Sequence, residues 1–433
     1  MSSYSSNQHC VAKLVELSEH HAILASEDIY DDQGFKLLAK GARISRDLQN
    51  RLLARKLRAP LESSLTLQDG ITLRDFFQEA ESLIEQIPVL ARIAGTPLAK
   101  SNLHDGMKLH MPPPLVLLMS CVRHTNPDSF RRAQLVAALC AGLSARLDVQ
   151  PNDTMAILMA AVLHDIGEIY INPAYLCEDR HLQPAEWKHV AAHPHVGRML
   201  VQTLTSLPQT VLSCIDQHHE RHDGSGYPSQ IFGQEQHPLS PIIAAADAVS
   251  ALVDRGDDSG ERISLALRIV PEEFDKRIVN TVVSAVHGLT DKGKPFTGTA
   301  NSNSINAKLL SDRLSLANKS LQDIATQNND HLFFQDVCKK ALALLGELEK
   351  SLRATGILDA GRLGNDIADQ NLHYEMHAII REVAWRMRHL ARNIYLAVDA
   401  LGKENLLDLI TEVINQLDIN IAESEDAVSN SPA

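Results

Sequence analysis

From Pro114 to about Val286 apolar residues recur at every third or fourth position, the spacing of one buried face on each of a succession of helices. A chain written this way packs helix on helix. The segment PNDT at 151–154 separates two such helices and carries an N-cap signal for the second. Farther on, LLSDRLSLANKSLQDIATQ, VCKKALALLGELEKSL and LHYEMHAIIREVAWRMRHLARNIYLAVDAL keep the same periodicity with few turn signals. They predict a C-terminal helical bundle over 309–422. Between the two helical regions DKGKPFTGTANSNSINAK, residues 291–308, has the Gly, Ser, Asn and Thr content of a linker.

The start of the chain reads differently. EDIYDDQGFKLLAKG at 27–41 alternates around a DDQG turn, which predicts a β-hairpin, and ISRDLQNRLLARKL after it has helical leucine spacing. A small β-β-α unit is expected within 1–70. In the connecting region 71–113, TLRDFFQEAESLIEQIPVLARI reads as one amphipathic helix opened by a Thr three residues before an acid. The expected fold is mainly α, with a small N-terminal hairpin unit, an all-helical core at 114–290 and the C-terminal bundle. The tail 423–433 is too polar to fold alone.

A formal net charge of -13 gives no basic field for nucleic acid or an anionic membrane. An anionic substrate would need local positive charge, which a bound metal supplies. The opening thirty residues have no basic start followed by an apolar run, and LVLLMSCV and MAILMAAVL fall short of the ~20 residues of a membrane span. The expected location is the cytoplasm. Six scattered cysteines, without a Cys-x-x-Cys pair, read as reduced and buried thiols.

Chemistry concentrates in four places. The apolar helix MAILMAAVLHDIGE ends on His164 and Asp165, neighbours that diverge by ~100° and can take two positions around one ion. Asp165 can also bridge two ions, which an imidazole does not do. HPHVG offers His193, HHERHDGSGYP offers His218 and His219, and Asp247 is the single charge in PIIAAADAVSAL, where a buried carboxylate needs a partner. Nitrogen and oxygen ligands without sulfur suit a divalent Fe, Mn, Zn, Ni or Co and do not choose among them. His181, His189, His195, His222 and His237 make the region rich in histidine generally, so some are bystanders.

HDIGE, HPHVG, HHERHDGSGYP and ADAVSAL in this order resemble the HD-GYP family, a subgroup of the HD-domain metal-dependent phosphohydrolases, over about residues 115–290. The resemblance implies an all-helical HD-domain core that holds divalent metal and hydrolyses cyclic di-GMP to pGpG or GMP. It makes His164, Asp165, His193, His218, His219 and Asp247 the metal ligands and places Gly224, Gly226, Tyr227 and Pro228 in a loop bordering the cleft. Asp165, Glu168 and Tyr227 become the candidate catalytic residues, and Arg255 a candidate phosphate contact.

Three working positions depart from the pattern. Where family members carry a His on the preceding helix this chain has Arg132, with Asp128 one turn earlier; the usual Lys of HDIGK is Glu168; and Asp257 and Asp258 stand where basic residues are common. A guanidinium stays protonated and cannot ligate. One ion is expected at Asp165, His193, His218 and His219, and a second is in question.

Two functions are therefore open: a cyclic di-GMP phosphodiesterase, or a degenerate HD-GYP module that binds a nucleotide or a protein. The C-terminal helices could serve a protein partner or a homodimer. On one of them Arg381, Trp385, Arg388 and Arg392 fall on a single face. Either Trp385 packs in the bundle under arginine stems, or this face docks a protein or an acidic ligand.

Overall fold

The computed structural model describes residues 4–177, 182–256, 259–289, 300–328, 331–360 and 370–419. The architecture is mainly helical, as the periodicity predicts. Asp257, Asp258, His181 and the 423–433 tail lie outside the described residues. So does the first half of the 291–308 linker, whose second half, from Ala300 on, already forms the first turns of the Ala300–Gln327 helix.

The N-terminal unit has more in it than a hairpin and one helix. Ile29–Tyr30 and Lys36–Leu38 pair antiparallel, and the Asp31 carboxylate accepts from the Gln33 and Phe35 amides to close the turn. Two further ladders join Tyr4–Ser5 to Lys56–Leu57 and Ile23–Ala25 to Leu65–Leu67. A helix, Gln8–His20, follows the first of these strands, its first amides capped by Asn7. Its apolar face of Cys10, Val11, Leu14, Val15 and Leu17 is fully buried. Arg46–Leu53 is the helix expected after the hairpin.

The connecting region is also helical, but TLRDFFQEAESLIEQIPVLARI forms two helices. Leu73–Gln86 stops and Pro88–Ala94 begins across Ile87, whose extended backbone is what a following proline imposes. The expected Thr72 cap is present, with its hydroxyl accepting from the Asp75 amide.

The core is built around Pro127–Arg146, on which Leu73–Gln86, Pro97–Gly106, Pro151–Leu163 and Ser240–Asp254 all pack. Every residue from Ala133 to Ser144 is buried, so this helix has no solvent face over that span. Prolines open most of the core helices, at the position where a missing amide costs nothing.

Leu332–Ala354, Gln370–Asp399 and Glu404–Leu417 pack with Ala300–Gln327 into the C-terminal bundle. Its core of Leu314, Leu345, Val383, Met387 and Ile410 also takes in Ile269 and Val270 from the preceding region, so apolar packing runs from one into the other. Arg386 fixes that junction. Its guanidinium, 8% exposed, donates to Glu273 at 2.7 and 2.8 Å and to the Ala266 carbonyl at 2.6 Å. Among the described residues no helix is long and apolar enough to cross a membrane.

Candidate metal centre and its cleft

Three helix ends meet at the cluster. His164 caps Pro151–Leu163, Asp165 follows it, His193 opens His193–Leu204, and His218 caps Gln209–Gln217 ahead of His219. Asp247 approaches from the middle of Ser240–Asp254. A glycine makes the approach possible, because a Cβ on Gly167 would lie 2.1 Å from the His193 carbonyl oxygen.

Asp165, His193, His218 and His219 each present a ligand atom, all within 4.8 Å of one another. Three imidazoles are held the same way. The Nδ1 of His164, His193 and His218 donates to the carbonyls of Ala161, Val190 and Ile215 at 2.9, 2.8 and 2.7 Å. A carbonyl can only accept, so in the neutral rings Nε2 is left with a bare lone pair pointing into the cluster. The Nε2 atoms of His193 and His218 then face each other at 3.2 Å. Two lone pairs at that distance repel; without a metal a proton on one ring bridges them, which the raised pKa of His193 beside Asp165 allows, and a divalent cation can take that proton's place. The His164 Nε2 makes no well-directed hydrogen bond, the Asp165 carboxylate beside it being off line. These residues fit a divalent metal.

The Asp165 carboxylate is shared. Oδ1 lies 3.2 Å from His193 Nε2 and 3.4 Å from His218 Nε2, while Oδ2 lies 3.0 Å from His164 Nε2. Beyond His164, Asp247 stands at 4.0 Å and also reaches His219 Nδ1 at 3.4 Å. Burial acts to raise the Asp165 carboxyl, but His164, His193 and His218 outweigh it and hold it well below the usual carboxylate range. His219 goes the other way: burial and the neighbouring His218 and His193 keep its ring neutral.

The departures are visible in space. Arg132 is drawn to the acids of this corner, Asp165, Asp247, Glu168 and Asp254, and its Nε sits 3.4 Å from the Asp254 carboxylate. A fixed positive charge therefore lies beside Asp165 and Asp247. Glu168 is pushed up to about 7 by burial and by Asp165, and accepts from the Ser129 hydroxyl at 3.2 Å. Its backbone carbonyl takes a hydrogen bond from Lys13 at 3.2 Å, and Asn7 donates to the Tyr170 carbonyl, so the N-terminal unit grips this turn from outside.

The GYP loop lies against the cluster. Tyr227 is 5% exposed and stacks on His219 at 4.6 Å. Gly224 has φ +74°, and a Cβ on Gly226 would meet the Glu220 Cα at 2.4 Å and the His219 carbonyl at 2.5 Å, so this turn admits only glycine there. After the Tyr227–Pro228 peptide, the Glu220 carboxylate accepts from the amides of Ser229, Gln230 and Ile231. The C-terminal bundle holds the loop as well. Asn393 donates to the carbonyls of Ser225 and Gly226, and Lys340 to that of Gln230.

A cleft of ≈ 640 Å³ opens over the cluster, with Arg132, Asp165, Glu168, His219, Tyr227 and Asp247 on its floor. Arg255 lines it and is exposed. The opposite wall is the Gln370–Asp399 helix with Trp385, Arg388, His389 and Arg392. The sequence marks these side chains as one face; it has no signal for where that face goes. Trp187 and Glu273 are cleft residues outside the motifs, and Arg221 is a cleft residue inside HHERHDGSGYP with no role assigned from the sequence. Among the other histidines, His195 is a surface residue 3.3 Å from Asp216, and His189 stacks on Tyr175. All six cysteines are free, and five are buried as expected, but Cys177 is exposed at the cleft edge.

Residues 117–282 match the HD domain family model. Curated proteins similar to this chain include the 3'3'-cGAMP-specific phosphodiesterase 3 of Vibrio cholerae, 30% identical over 35% of this chain and 33% of that one. The cyclic di-GMP phosphodiesterase of Thermotoga maritima is 30% identical over 33% of this chain and 39% of its own. The chain thus spans about a third of the length of these relatives. Among solved structures, Bd1817, a HDG"Y"P protein from Bdellovibrio bacteriovorus, is 15% identical with a TM-score of 0.33, covering 63% of this chain and 98% of that one.

Proposed function

We propose that the chain is a metal-dependent phosphodiesterase of cyclic dinucleotides, cyclic di-GMP or 3'3'-cGAMP, built on one divalent ion held by Asp165, His193, His218 and His219. The observation that carries this is the His193–His218 pair, whose Nε2 atoms face each other at 3.2 Å with both Nδ1 atoms committed to carbonyls. The relatives that share the segment are named for these two substrates. Fe or Mn is the first candidate ion, with Zn, Ni and Co, which suit the same nitrogen and oxygen donors, as further candidates.

A divalent ion there supplies a water of lowered pKa and polarises a phosphodiester oxygen. The rest is the work of the chain. Tyr227 shields His219 from water and orients it by stacking. Glu168, at about 7, holds a proton at its carboxyl near neutral pH, and Ser129 fixes its direction. Arg132 puts positive charge beside Asp165 and Asp247 without ligating. The same Arg132 favours a second reading, a module that binds the cyclic dinucleotide without cleaving it.

Turnover of cyclic di-GMP and 3'3'-cGAMP by the purified chain, reconstituted anaerobically with Mn or Fe(II), decides between them. Linear dinucleotide that disappears in Asp165→Ala supports hydrolysis. Folded, metal-loaded protein that binds the nucleotide and yields no product refutes it in favour of the binding module.

A further inference from the structure

The cleft is lopsided in charge. Its floor carries Asp165, Glu168 and Asp247, with Arg132 among them; its far wall carries Arg388 and Arg392 from a helix that lies wholly outside the HD domain. The other acids along that wall are already spoken for. Glu273 and Glu382 both bind Arg386, at 2.7 and 2.8 Å. Arg388 and Arg392, by contrast, make no ion pair with any described residue, and the buried Nε of Arg392 has no hydrogen-bond partner. Arg255 lines the same space without an ion pair of its own.

Like charges accumulate here. Arg388 feels Arg255, Arg392 feels Arg388, and the buried ring of His389 is kept neutral by burial and by the arginines around it, Arg392 first. Asp418 is the acid that offsets part of this. Gathering guanidinium groups beside one another in a half-closed space is unfavourable unless an anion joins them. A guanidinium also matches a phosphate with two parallel hydrogen bonds.

Flat aromatic surface lies next to the arginines. The Arg392 guanidinium is 4.4 Å from the Trp187 ring centroid, Trp187 meets Tyr227 at 5.4 Å, and Tyr227 stacks on the metal-side His219. Trp385 lies 4.4 Å from His389 on the same wall, and the buried Trp187 Nε1 has no partner. A continuous path of rings thus joins the metal cluster to the arginines. Nucleobases stack on such rings irrespective of their identity.

We propose that the C-terminal helix completes the site by forming a second phosphate subsite, in which Arg388 and Arg392 hold the phosphate of a cyclic dinucleotide that does not lie at the metal cluster, with Trp385 and Trp187 flanking a base. The inference rests on the cyclic-dinucleotide reading and deepens it. The bundle is then part of the binding site, and specificity for two phosphates over one resides outside the HD domain.

The test is equilibrium binding of cyclic di-GMP and 3'3'-cGAMP to the Mn-loaded full chain, by calorimetry, set against binding of bis(p-nitrophenyl) phosphate, which has a single phosphate. Arg388→Ala with Arg392→Ala is expected to weaken cyclic dinucleotide binding at least tenfold more than it weakens the single-phosphate ester. Arg388→Lys with Arg392→Lys, which keeps the charge and the stems, recovers part of the loss and excludes misfolding as the cause. Arg353→Ala, on an exposed side of the bundle, serves as the unaffected control. Equal weakening of both probes, no weakening, or tighter binding overturns the subsite; tighter binding means that the helix is a lid. Failure of the wild-type chain to bind either dinucleotide overturns it too. Arginine-dependent binding without turnover leaves the subsite standing and sinks only the hydrolysis.

Discussion

Replacing Arg386 by methionine keeps the side-chain stem and removes the charge that joins the bundle to the HD domain. The loss strands Glu273, 4% exposed, together with Glu382 and the Ala266 carbonyl. Hydrogen bonds to charged groups are worth about 1.5–3 kcal/mol each, but their sum overstates the cost, because Glu273 has an escape: it can take a proton. Burial already raises its pKa in the intact protein. Staying protonated in the folded state costs about 1.4 kcal/mol for each pH unit above the unfolded glutamate value of about 4.3, so about 3.7 kcal/mol at pH 7. This falls within the roughly 3–5 kcal/mol expected for breaking a buried pair.

The sign follows from the proton count. The folded variant binds a proton at Glu273 that the unfolded chain has released above about pH 4.3, so its deficit relative to wild type grows with rising pH and shrinks to about 1 kcal/mol at pH 5. Arg221 at 4.0 Å, Asp223, and Glu382 on the opposing helix face the same corner and are common to both proteins. Urea denaturation of Arg386→Met and wild type at pH 5, 6 and 7, read by circular dichroism, measures the difference. Arg386→Met with Glu273→Gln should lose the pH dependence. A deficit that is flat from pH 5 to 7, or below about 1 kcal/mol at pH 7, refutes the reasoning.

Metal content after anaerobic reconstitution should fall to background in His193→Ala and Asp165→Asn and stay at the wild-type level in His195→Ala, as measured by inductively coupled plasma mass spectrometry; equal retention in all three would remove the cluster from consideration. Gly226→Ala drives a Cβ into the backbone of Glu220 and His219, so it should destabilise by at least the ~1–3 kcal/mol of an overpacked site and release Asn393 from the loop. Hydrogen exchange across Ser225–Gln230 checks this, and unchanged protection would show that the loop can give way.

The helical core and the bundle were legible because their apolar period is long and sustained. The Gln8–His20 helix carries the same period in CVAKLVEL, but it is short and sits next to a strong hairpin signal. The break at Ile87 needed only the rule about residues before proline. In the candidate site, His164, Asp165, His193, His218 and His219 could be grouped because their motifs occur in combination, no single pair among them being specific. Their convergence depends on close approaches such as that of Gly167 to the His193 backbone, which a linear pattern does not encode. Arg388 and Arg392 could be grouped on one face, yet periodicity gives a helix its buried side without saying what lies across from it. Their position over the cleft comes from Arg386 and Glu273, 113 residues apart.

The turn that carries Glu168 is a party wall. The candidate metal ligands lean on one side, and Lys13 and Asn7 of the N-terminal unit hold the other through its backbone. Backbone contacts of this kind transmit position rather than side-chain chemistry. By reciprocity, a ligand of the N-terminal unit that tightens or loosens this hold shifts metal affinity by the same factor that metal shifts its own. The small unit is thus joined to the candidate site through Lys13, Asn7 and the Tyr170–Glu62 hydrogen bond, and occupancy there and metal occupancy here would be two readings of a single equilibrium.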